Sequence, residues 1–292
     1  MKFYLFKNLK YLFSRDLKQK LREDEINFYN KIIDAINYDK ELNIQYQKPK
    51  IKNTQDTITE IINSKKSCIR FGDGEFQLIL GYSIPFQKKS EKLSKHLLEA
   101  LTNKNENIIT CIPVCSFYPR KEYSKLALEF WQNCGYNWRK LLREKLDLEK
   151  QYYSTEFTMA TSLDKSIDSD KYFSELKKMW DNEDIVIICG KTVFNEIKNN
   201  IFDNAKCIEY IYTPSKNAYS EYDLILQKAK QIDKNKLIIS ICGPTATVLC
   251  YDLTNEGYRA IDFGHALKTY DWYKRKIDIN NAKDADKFFA PD

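Results

Sequence analysis

The stretch Ser-Cys-Ile-Arg-Phe-Gly-Asp-Gly-Glu at residues 67–75 joins a short apolar run to a turn that carries two acidic residues. The apolar part predicts a buried strand, and the apolar residues from Phe76 onward predict the next element. Asp73 and Glu75 therefore follow a strand, which is where open α/β sheets bind their ligands. Gly72 and Gly74 permit a close approach of backbone and ligand.

Asp73 and Glu75 are the candidate metal ligands. Mg²⁺ and Mn²⁺ prefer carboxylate oxygens and complete their coordination with water and substrate phosphates, so one or two acids suffice. Arg70 precedes them by three residues and is a candidate for the same phosphates. The alternative is a solvated turn whose acids favour the N-terminus of a following helix through its dipole.

A second strand and glycine turn lie at residues 236–247, Lys-Leu-Ile-Ile-Ser-Ile-Cys-Gly-Pro-Thr-Ala-Thr. A glycine turn that opens a helix presents free backbone amides and the positive end of the helix dipole to an anion. Gly243 is therefore a candidate phosphate-binding residue, and the hydroxyls of Thr245 and Thr247 are further donors. Pro244 fits equally well with an ordinary helix start.

A third strand ends at Gly190 and Lys191, and residues 193–199 have a helical pattern. Lys191 would be a point charge for phosphate. The glycine-rich run of a P-loop is absent before Gly190, so we exclude that motif.

The last predicted strand, at residues 260–265, ends with Asp262 and His265. The chain has only two histidines, and one that follows a strand beside a glycine is a candidate for catalysis as well as for a structural role. We take both side chains as candidate general bases.

Strand-like runs and helical patterns alternate along the chain. The runs surround Cys68, Ile108, Ile185, Cys207, Ile238 and Ile261. This order predicts an α/β fold, Rossmann-like, with a mostly parallel sheet and helices on both faces. With 292 residues and 43% hydrophobic content, the chain can bury a sizeable core.

Together these motifs resemble the GT-D fold family of glycosyltransferases, which act in bacterial adhesin and surface-glycan glycosylation. The resemblance covers roughly residues 54–276. It runs through residues 70–75, 203–206, 214–219, 243–246 and 260–265.

The resemblance implies a function and assigns residues to it. Asp73 and Glu75 take the positions that serve the metal, Mn²⁺ or Mg²⁺, and the diphosphate of the nucleotide sugar. Lys216 and the Gly243 turn line the same cleft. The implied donor is a nucleoside diphosphate sugar, with a UDP-sugar expected. The implied acceptor is a hydroxyl of a glycan, glycolipid or glycoprotein in surface polysaccharide or protein glycosylation.

The sequence departs from the family pattern at three places. Residues 159–162 are Met-Ala-Thr-Ser where relatives carry Thr-Arg-Pro-Tyr-like residues, and residues 190–195 lack a glycine-rich, arginine-containing loop. Leu267 and Thr269 replace acidic residues. These changes affect the donor sugar and the acceptor more than the metal. An inactive member that binds glycans or acts as a scaffold is one alternative, and a metal-dependent nucleotidase or phosphotransferase is another.

The expected chemistry needs little covalent help from the protein. The leaving diphosphate gains negative charge as the glycosidic bond breaks, so a cation and oriented amides that bind it more strongly then lower the barrier. If configuration inverts, a base must deprotonate the acceptor hydroxyl, and Asp262 or His265 can serve. The sequence leaves this choice and the stereochemistry open.

Composition bounds the remaining partners. The 47 basic residues are interspersed with 41 acidic ones, giving a net charge of +6, and no nucleic-acid motif appears. We therefore expect no nucleic-acid partner. Several of the eight cysteines fall inside apolar runs, which indicates free thiols in a reducing compartment. Without a signal peptide or membrane-spanning stretch, the sequence predicts a cytoplasmic protein.

The chain divides into three predicted parts. Residues 1–52 form a basic amphipathic helical extension and a linker, residues 53–276 the GT-D-like catalytic domain, and residues 277–292 a tail. Aromatic residues interleave with lysines and arginines from residue 3 to residue 22. This pattern fits a helix on the anionic inner face of the cell membrane, and it fits a helix packed on the catalytic domain equally well.

Overall fold

The computed structural model describes residues 47–278, together with Glu25, Phe28, Tyr29, Ile32 and Ile36, which are helical and exposed. Most of the predicted amphipathic extension, at residues 1–46, and of the tail, at residues 279–292, lies outside the described residues.

Within residues 47–278, eight strands form one sheet. They are β1 (Lys50–Ile51), β2 (Ser67–Arg70), β3 (Ile108–Ile112), β4 (Gln151–Ser154), β5 (Asp184–Gly190), β6 (Cys207–Thr213), β7 (Leu237–Ile241) and β8 (Ala260–Asp262). The helices of the same range are α1 (Thr54–Ser64), α2 (Asp73–Ile79), α3 (Glu91–Leu101), α4 (Lys125–Cys134), α5 (Tyr136–Lys145), α6 (Ala160–Leu163), α7 (Ser169–Lys177), α8 (Tyr222–Ala229), α9 (Pro244–Asn255) and α10 (Ala266–Lys274).

All strand pairs in the sheet are parallel, in the order β1-β4-β3-β2-β8-β7-β5-β6. The six predicted strands are confirmed. The sequence missed β1 and β4, which are short and polar. Lys50 and Ile51 pair with Gln151 and Tyr152, so part of the predicted linker belongs to the sheet.

Two clusters of buried side chains lie on opposite faces of the sheet, because neighbouring residues of one strand point to opposite sides. In β7, Ile238 joins one cluster, and Leu237 and Ile239 join the other. Helices α2, α3, α4, α5, α8 and α9 cover the first face, and α1, α7 and α10 cover the second. The predicted arrangement of helices on both faces is therefore confirmed.

Strands β2 and β8 are neighbours at the middle of the sheet, and the helices that follow them leave toward opposite faces. Helix α2 follows β2 onto the first face, and α10 follows β8 onto the second. This divergence opens a crevice beyond the carboxyl ends of the two strands, which is the usual ligand position in open parallel sheets.

One predicted helix is absent. Residues 193–199 form turns because the carboxylate of Asp271, in α10, accepts hydrogen bonds from the backbone of Lys198 (3.0 Å) and Asn199 (2.9 Å). The asparagines and β-branched residues of this segment also disfavour a helix. These contacts fasten the β5–β6 connection to α10.

The described cysteine side chains, those of Cys68, Cys111, Cys115, Cys189, Cys207, Cys242 and Cys250, are free thiols. Cys207 is exposed on β6, the edge strand of the sheet. Across residues 47–278 and the five isolated residues, no helix combines the length and the apolar character needed to cross a bilayer.

Candidate functional site

Asp73 and Glu75 lie in the first turn of α2, not in an open loop as the sequence suggested. Gly72 is the N-cap, and its backbone N–H donates to Glu75 Oε2 at 2.7 Å. Asp73 accepts a hydrogen bond from Gln77 Nε2 at 3.3 Å. Glu75 thus caps its own helix, which was the alternative interpretation of the motif, and it also lies close enough to Asp262 and Arg70 to interact with their charges.

Arg70 points inward and not toward an open phosphate site. Its Nε and Nη2 both donate to the carbonyl oxygen of Thr155 at 3.1 Å, and its Nη1 lies 3.6 Å from Asp262 Oδ1. The side chain is only 12% exposed. Its guanidinium is therefore the counter-ion of Asp262, which differs from the predicted role.

Gly264 makes room for Arg70. A Cβ built at this residue would lie 1.9 Å from Arg70 Nη1, and the backbone φ of +45° also favours glycine. No role was predicted for this glycine, although it lies inside the motif at residues 260–265.

Asp262 is held by donors from two elements. Oδ2 accepts from Thr247 Oγ1 at 3.0 Å, and Oδ1 accepts from the Gly264 N–H at 3.2 Å. The Thr247 hydroxyl also lies 3.0 Å from the Arg70 carbonyl oxygen. It therefore joins α9 to β2 and β8, and it is fully buried, which differs from the predicted hydroxyl offered to a phosphate.

Thr245 is fully buried, which also differs from the expectation of a hydroxyl offered to a ligand. Gly243 remains an exposed turn with φ of +58° at the start of α9. The acidic turn lies beside it, since a Cβ built on Gly74 would be 3.9 Å from Pro244 Cγ. The structure thus brings the Asp73–Glu75 turn and the Gly243 turn together, as the sequence predicted.

Burial raises the pKa of each acid in the crevice. The pKa of Glu75 rises to about 7 through burial and the neighbouring charge of Asp262, while the Gly72 amide and Arg70 oppose the rise. Burial also raises the pKa of Asp73 and that of Asp262, and Arg70 again opposes the change at Asp262. Glu75 and Asp262 thus share the guanidinium of Arg70, and Asp73 adds a third carboxyl in the same helical turn as Glu75, so the crevice carries excess negative charge when the three ionise.

His265 lies at the N-cap of α10 and is half-buried. Burial, Arg70 and Lys268 together lower the pKa of His265 to about 3, so its imidazole is neutral at physiological pH. Both predicted bases, Asp262 and His265, therefore lie at the crevice beside Arg70.

Gly190, Lys191 and Lys216 belong to a second group at the same end of the sheet. A Cβ built on Gly190 would lie 3.0 Å from Ser215 Cα and Oγ, so the ends of β5 and β6 pack closely. The hydroxyls of Thr192 and Ser215 are 2.5 Å apart. Lys191 and Lys216 flank this contact and are exposed, as phosphate-binding lysines would be.

Sequence reasoning missed two features of the segment after β4, of which the first belongs to the site. The Thr155 carbonyl holds Arg70, and a backbone carbonyl carries no sequence signal. Glu156 is buried, and its carboxylate accepts from the Cys115 N–H at 2.6 Å and from the Tyr123 hydroxyl at 3.0 Å. Burial raises the pKa of Glu156 to about 7.

Within residues 47–278, no group of three or more histidine, cysteine, aspartate or glutamate side chains gathers as a metal site would. The candidate donor set is therefore the carboxylate pair of Asp73 and Glu75. Two carboxylates are a typical protein contribution to Mg²⁺ or Mn²⁺ when a substrate phosphate completes the shell.

An open parallel sheet with an acidic crevice beyond its central strands defines a Rossmann-like α/β protein with a ligand site at the carboxyl edge. The family model described as glycosyltransferase GT-D fold matches residues 68–288. The chain belongs to this family of glycosyltransferases.

Two streptococcal proteins are similar to this chain. A probable glycosyl transferase Gly of Streptococcus gordonii is 33% identical over 83% of the chain, and glycosyltransferase GlyD of Streptococcus pneumoniae serotype 4 is 31% identical over 77%. The matches cover 36% and 28% of those proteins, so the chain spans about a third of their length.

Solved structures of the same family share the fold. One, described as domain of unknown function 1792 with a distinct glycosyltransferase fold, is 32% identical, has a TM-score of 0.74, and matches over 84% of this chain and 86% of its own. A glycosyltransferase of the same domain from Streptococcus sanguinis is 32% identical with a TM-score of 0.72, over 78% and 86%. The predicted fold class and family are confirmed.

Proposed function

We propose that this protein transfers a sugar from a nucleoside diphosphate sugar to an acceptor hydroxyl in a metal-dependent reaction. The observation that carries the proposal is the charge of the crevice: the carboxyls of Glu75 and Asp262 share the guanidinium of Arg70, and Asp73 lies in the same helical turn as Glu75, beside the exposed Gly243 turn. Membership of a glycosyltransferase family supports it.

The residues fit a divalent cation. Burial raises the pKa of Asp73 and of Glu75, so a cation bound beside them would stabilise their ionised forms. Asp73 and Glu75 would hold Mn²⁺ or Mg²⁺ through their carboxylates, because these cations prefer oxygen ligands. When bound, the cation supplies positive charge to the leaving diphosphate.

The chain itself would bind and orient the donor. The N-terminus of α9, after Gly243, lies at the carboxyl edge of the sheet, where the positive end of the helix dipole suits phosphate oxygens. Lys191 and Lys216 add positive charge from the ends of β5 and β6. These groups stabilise the diphosphate more as it gains charge during bond breaking, so they favour the transition state over the bound donor. The donor we propose is a UDP-sugar.

For an inverting reaction, we assign His265 as the base that removes the proton of the acceptor hydroxyl. Both carboxylate oxygens of Asp262 already accept hydrogen bonds, so Asp262 is better suited to hold Arg70. The pKa of His265, about 3, makes its imidazole a weak base by itself. A bound diphosphate raises that pKa, because negative charge nearby favours the protonated imidazole.

The acceptor class follows from the family: a hydroxyl of a glycan, glycolipid or glycoprotein. We further propose that the basic aromatic N-terminal segment attaches the enzyme to the inner face of the cell membrane. That segment lies outside the described residues, so its sequence pattern alone supports this step.

The test is a panel of nucleoside diphosphate sugars with and without Mn²⁺, measured by thermal shift and by released nucleotide. Ligands stabilise the folded state by mass action. We expect one donor to raise the melting temperature only with metal, and Asp73→Asn to abolish that rise. Asp223→Asn is the matched control, since Asp223 also lies in the first turn of a helix but is exposed.

Three outcomes would contradict the proposal. Release of inorganic phosphate or nucleoside monophosphate, instead of nucleoside diphosphate, would indicate a nucleotidase or phosphotransferase. Stabilisation that persists in Asp73→Asn would remove this carboxylate from the metal site. Absence of binding to every nucleotide would point to an inactive donor site and a glycan-binding or scaffolding role.

A further inference from the structure

The connection between α2 and α3, residues 80–90, reaches across the carboxyl edge of the sheet to the turn after β6. The Asn217 N–H donates to the Phe86 carbonyl oxygen at 2.7 Å, and the Lys88 N–H donates to Asn217 Oδ1 at 2.7 Å. The Tyr219 N–H also donates to Gln87 Oε1 at 3.3 Å. Strands β8, β7 and β5 separate β2 from β6, so these bonds join two distant parts of the edge.

The other end of the same connection packs on the acidic turn. Ile84 is buried, and its Cδ1 would lie 3.2 Å from a Cβ built on Gly74. Ile84 and Gln87 also form a backbone bridge with each other, which stiffens the segment between its two ends. Residues 80–90 therefore touch both the Asp73–Glu75 turn and the Asn217 turn. We call this segment the brace.

Asn217 has the conformation that the contact requires. Its φ of +56° lies in the left-handed region, which asparagine tolerates better than most residues. This turn aligns the backbone N–H and the side-chain Oδ1 with two different residues of the brace. Its carbonyl oxygen meanwhile accepts from the Ser220 N–H at 2.8 Å.

We propose that Asn217 is a positioning residue, which fixes Lys216 at a set distance from the Asp73–Glu75 turn through the brace. Lys216 is exposed, and it forms no ion pair in the part of the chain that the structure describes. Its charge is thus available to a phosphate, and its place is set by the residue next to it. The inference rests on the proposed function in one respect: the phosphate is that of the nucleotide donor.

The first experiment tests the brace without any ligand. Asn217→Gly keeps the left-handed backbone accessible and removes the acceptor for the Lys88 N–H. We expect amide hydrogen exchange in residues 81–90 to become roughly tenfold faster, since local opening loses a hydrogen bond. Asn182→Gly is the matched control. Asn182 also has a left-handed φ of +53°, but it precedes β5 and so lies at the amino ends of the strands, away from the brace. Unchanged exchange in Asn217→Gly would overturn the brace.

The second experiment tests the action through Lys216 by titrating UDP in the presence of Mn²⁺. We expect Asn217→Gly to weaken binding roughly tenfold, about the worth of one charged hydrogen bond. The same substitution in a Lys216→Ala background should have little further effect, because the charge that Asn217 positions is gone. Asn182→Gly should bind as the wild type does.

The outcomes distinguish the positioning role of Asn217 from a general structural effect of its substitution. Equal losses from Asn217→Gly with and without Lys216 would show a general structural effect and overturn the positioning role. Unchanged UDP affinity in Asn217→Gly would overturn it as well. If the wild-type protein binds no UDP, the proposed function and the role of Lys216 fail together, while the exchange data still decide whether the brace exists.

Discussion

Replacing Gly264 with alanine tests how tightly the crevice holds Arg70. The new Cβ would lie 1.9 Å from Nη1 and 2.6 Å from Cζ of Arg70, so the guanidinium must move. It cannot move without lengthening its bonds to the Thr155 carbonyl and its contact with Asp262. The substitution therefore disturbs the central charge pair of the site without removing any charged group.

The magnitude has two parts. Alanine in the left-handed region costs about 1–2 kcal/mol relative to glycine. Loss of hydrogen bonds from a charged donor costs about 1.5–3 kcal/mol more, counted once because both bonds end on one carbonyl oxygen. We expect Gly264→Ala to lower the free energy of unfolding by about 2.5–5 kcal/mol, the sum of the two parts.

Urea denaturation measures this loss, and the chain provides a matched control. Gly257 also has a positive φ, +83°, but a Cβ there would meet only Lys234 Nζ at 3.5 Å. Gly257→Ala should therefore cost only the backbone strain, about 1–2 kcal/mol. In an Arg70→Met background, Gly264→Ala should cost no more than Gly257→Ala does, because the clash is gone.

Equal losses in the two glycine variants would refute the argument, since they would show that Arg70 moves aside freely. An undiminished loss from Gly264→Ala in the Arg70→Met background would also refute it. Either result would mean that the guanidinium is not held by the contacts described, and the charge balance assigned to the crevice would be wrong.

Three further predictions concern titration, exposure and capping. The pKa of Glu75 in the metal-free protein is about 7, against the ordinary value of 4.5. The wild type should therefore lose stability as the pH rises from 4.5 to 7, because ionisation is easier in the unfolded chain. Urea titrations at a series of pH values should show that Glu75→Gln removes this part of the loss. A thiol reagent should modify the exposed Cys207 faster than the buried cysteines, and Cys207→Ser should remove the fast phase from the absorbance trace. Asn53→Ala should destabilise the protein by about 1 kcal/mol in thermal unfolding, because the Asn53 side chain caps α1 through the Asp56 N–H at 2.9 Å.

Local sequence identified the parts of the fold whose pattern is strong. Long apolar runs such as those of β5 and β7 are buried on both faces, and only a sheet covered by helices satisfies them. The helix after Gly243 was equally clear, since a glycine and a proline precede an apolar segment. Strand β4 could not be recognised from its sequence, because its polar residues form a strand only through pairing with β3 and β1.

The candidate site also has residues that the sequence identifies and contacts that it does not. Asp73, Glu75 and Gly243 could be named from sequence, because carboxylates and glycine turns after strands have a recognisable spacing. The partner of Arg70 could not, since Thr155 lies 85 residues away and contributes a carbonyl oxygen.

The sequence by itself determined the order of strands and helices and the residue types at the ends of the strands, because both depend on neighbours along the chain. The tertiary structure decided which of those ends meet. The Arg70 guanidinium and the Thr247 hydroxyl both contact the carboxylate of Asp262. Burying a charge or a hydroxyl requires a partner, and here the partner comes from a different strand. Asn217 contacts the brace only because the parallel sheet places the carboxyl ends of β2 and β6 at the same edge.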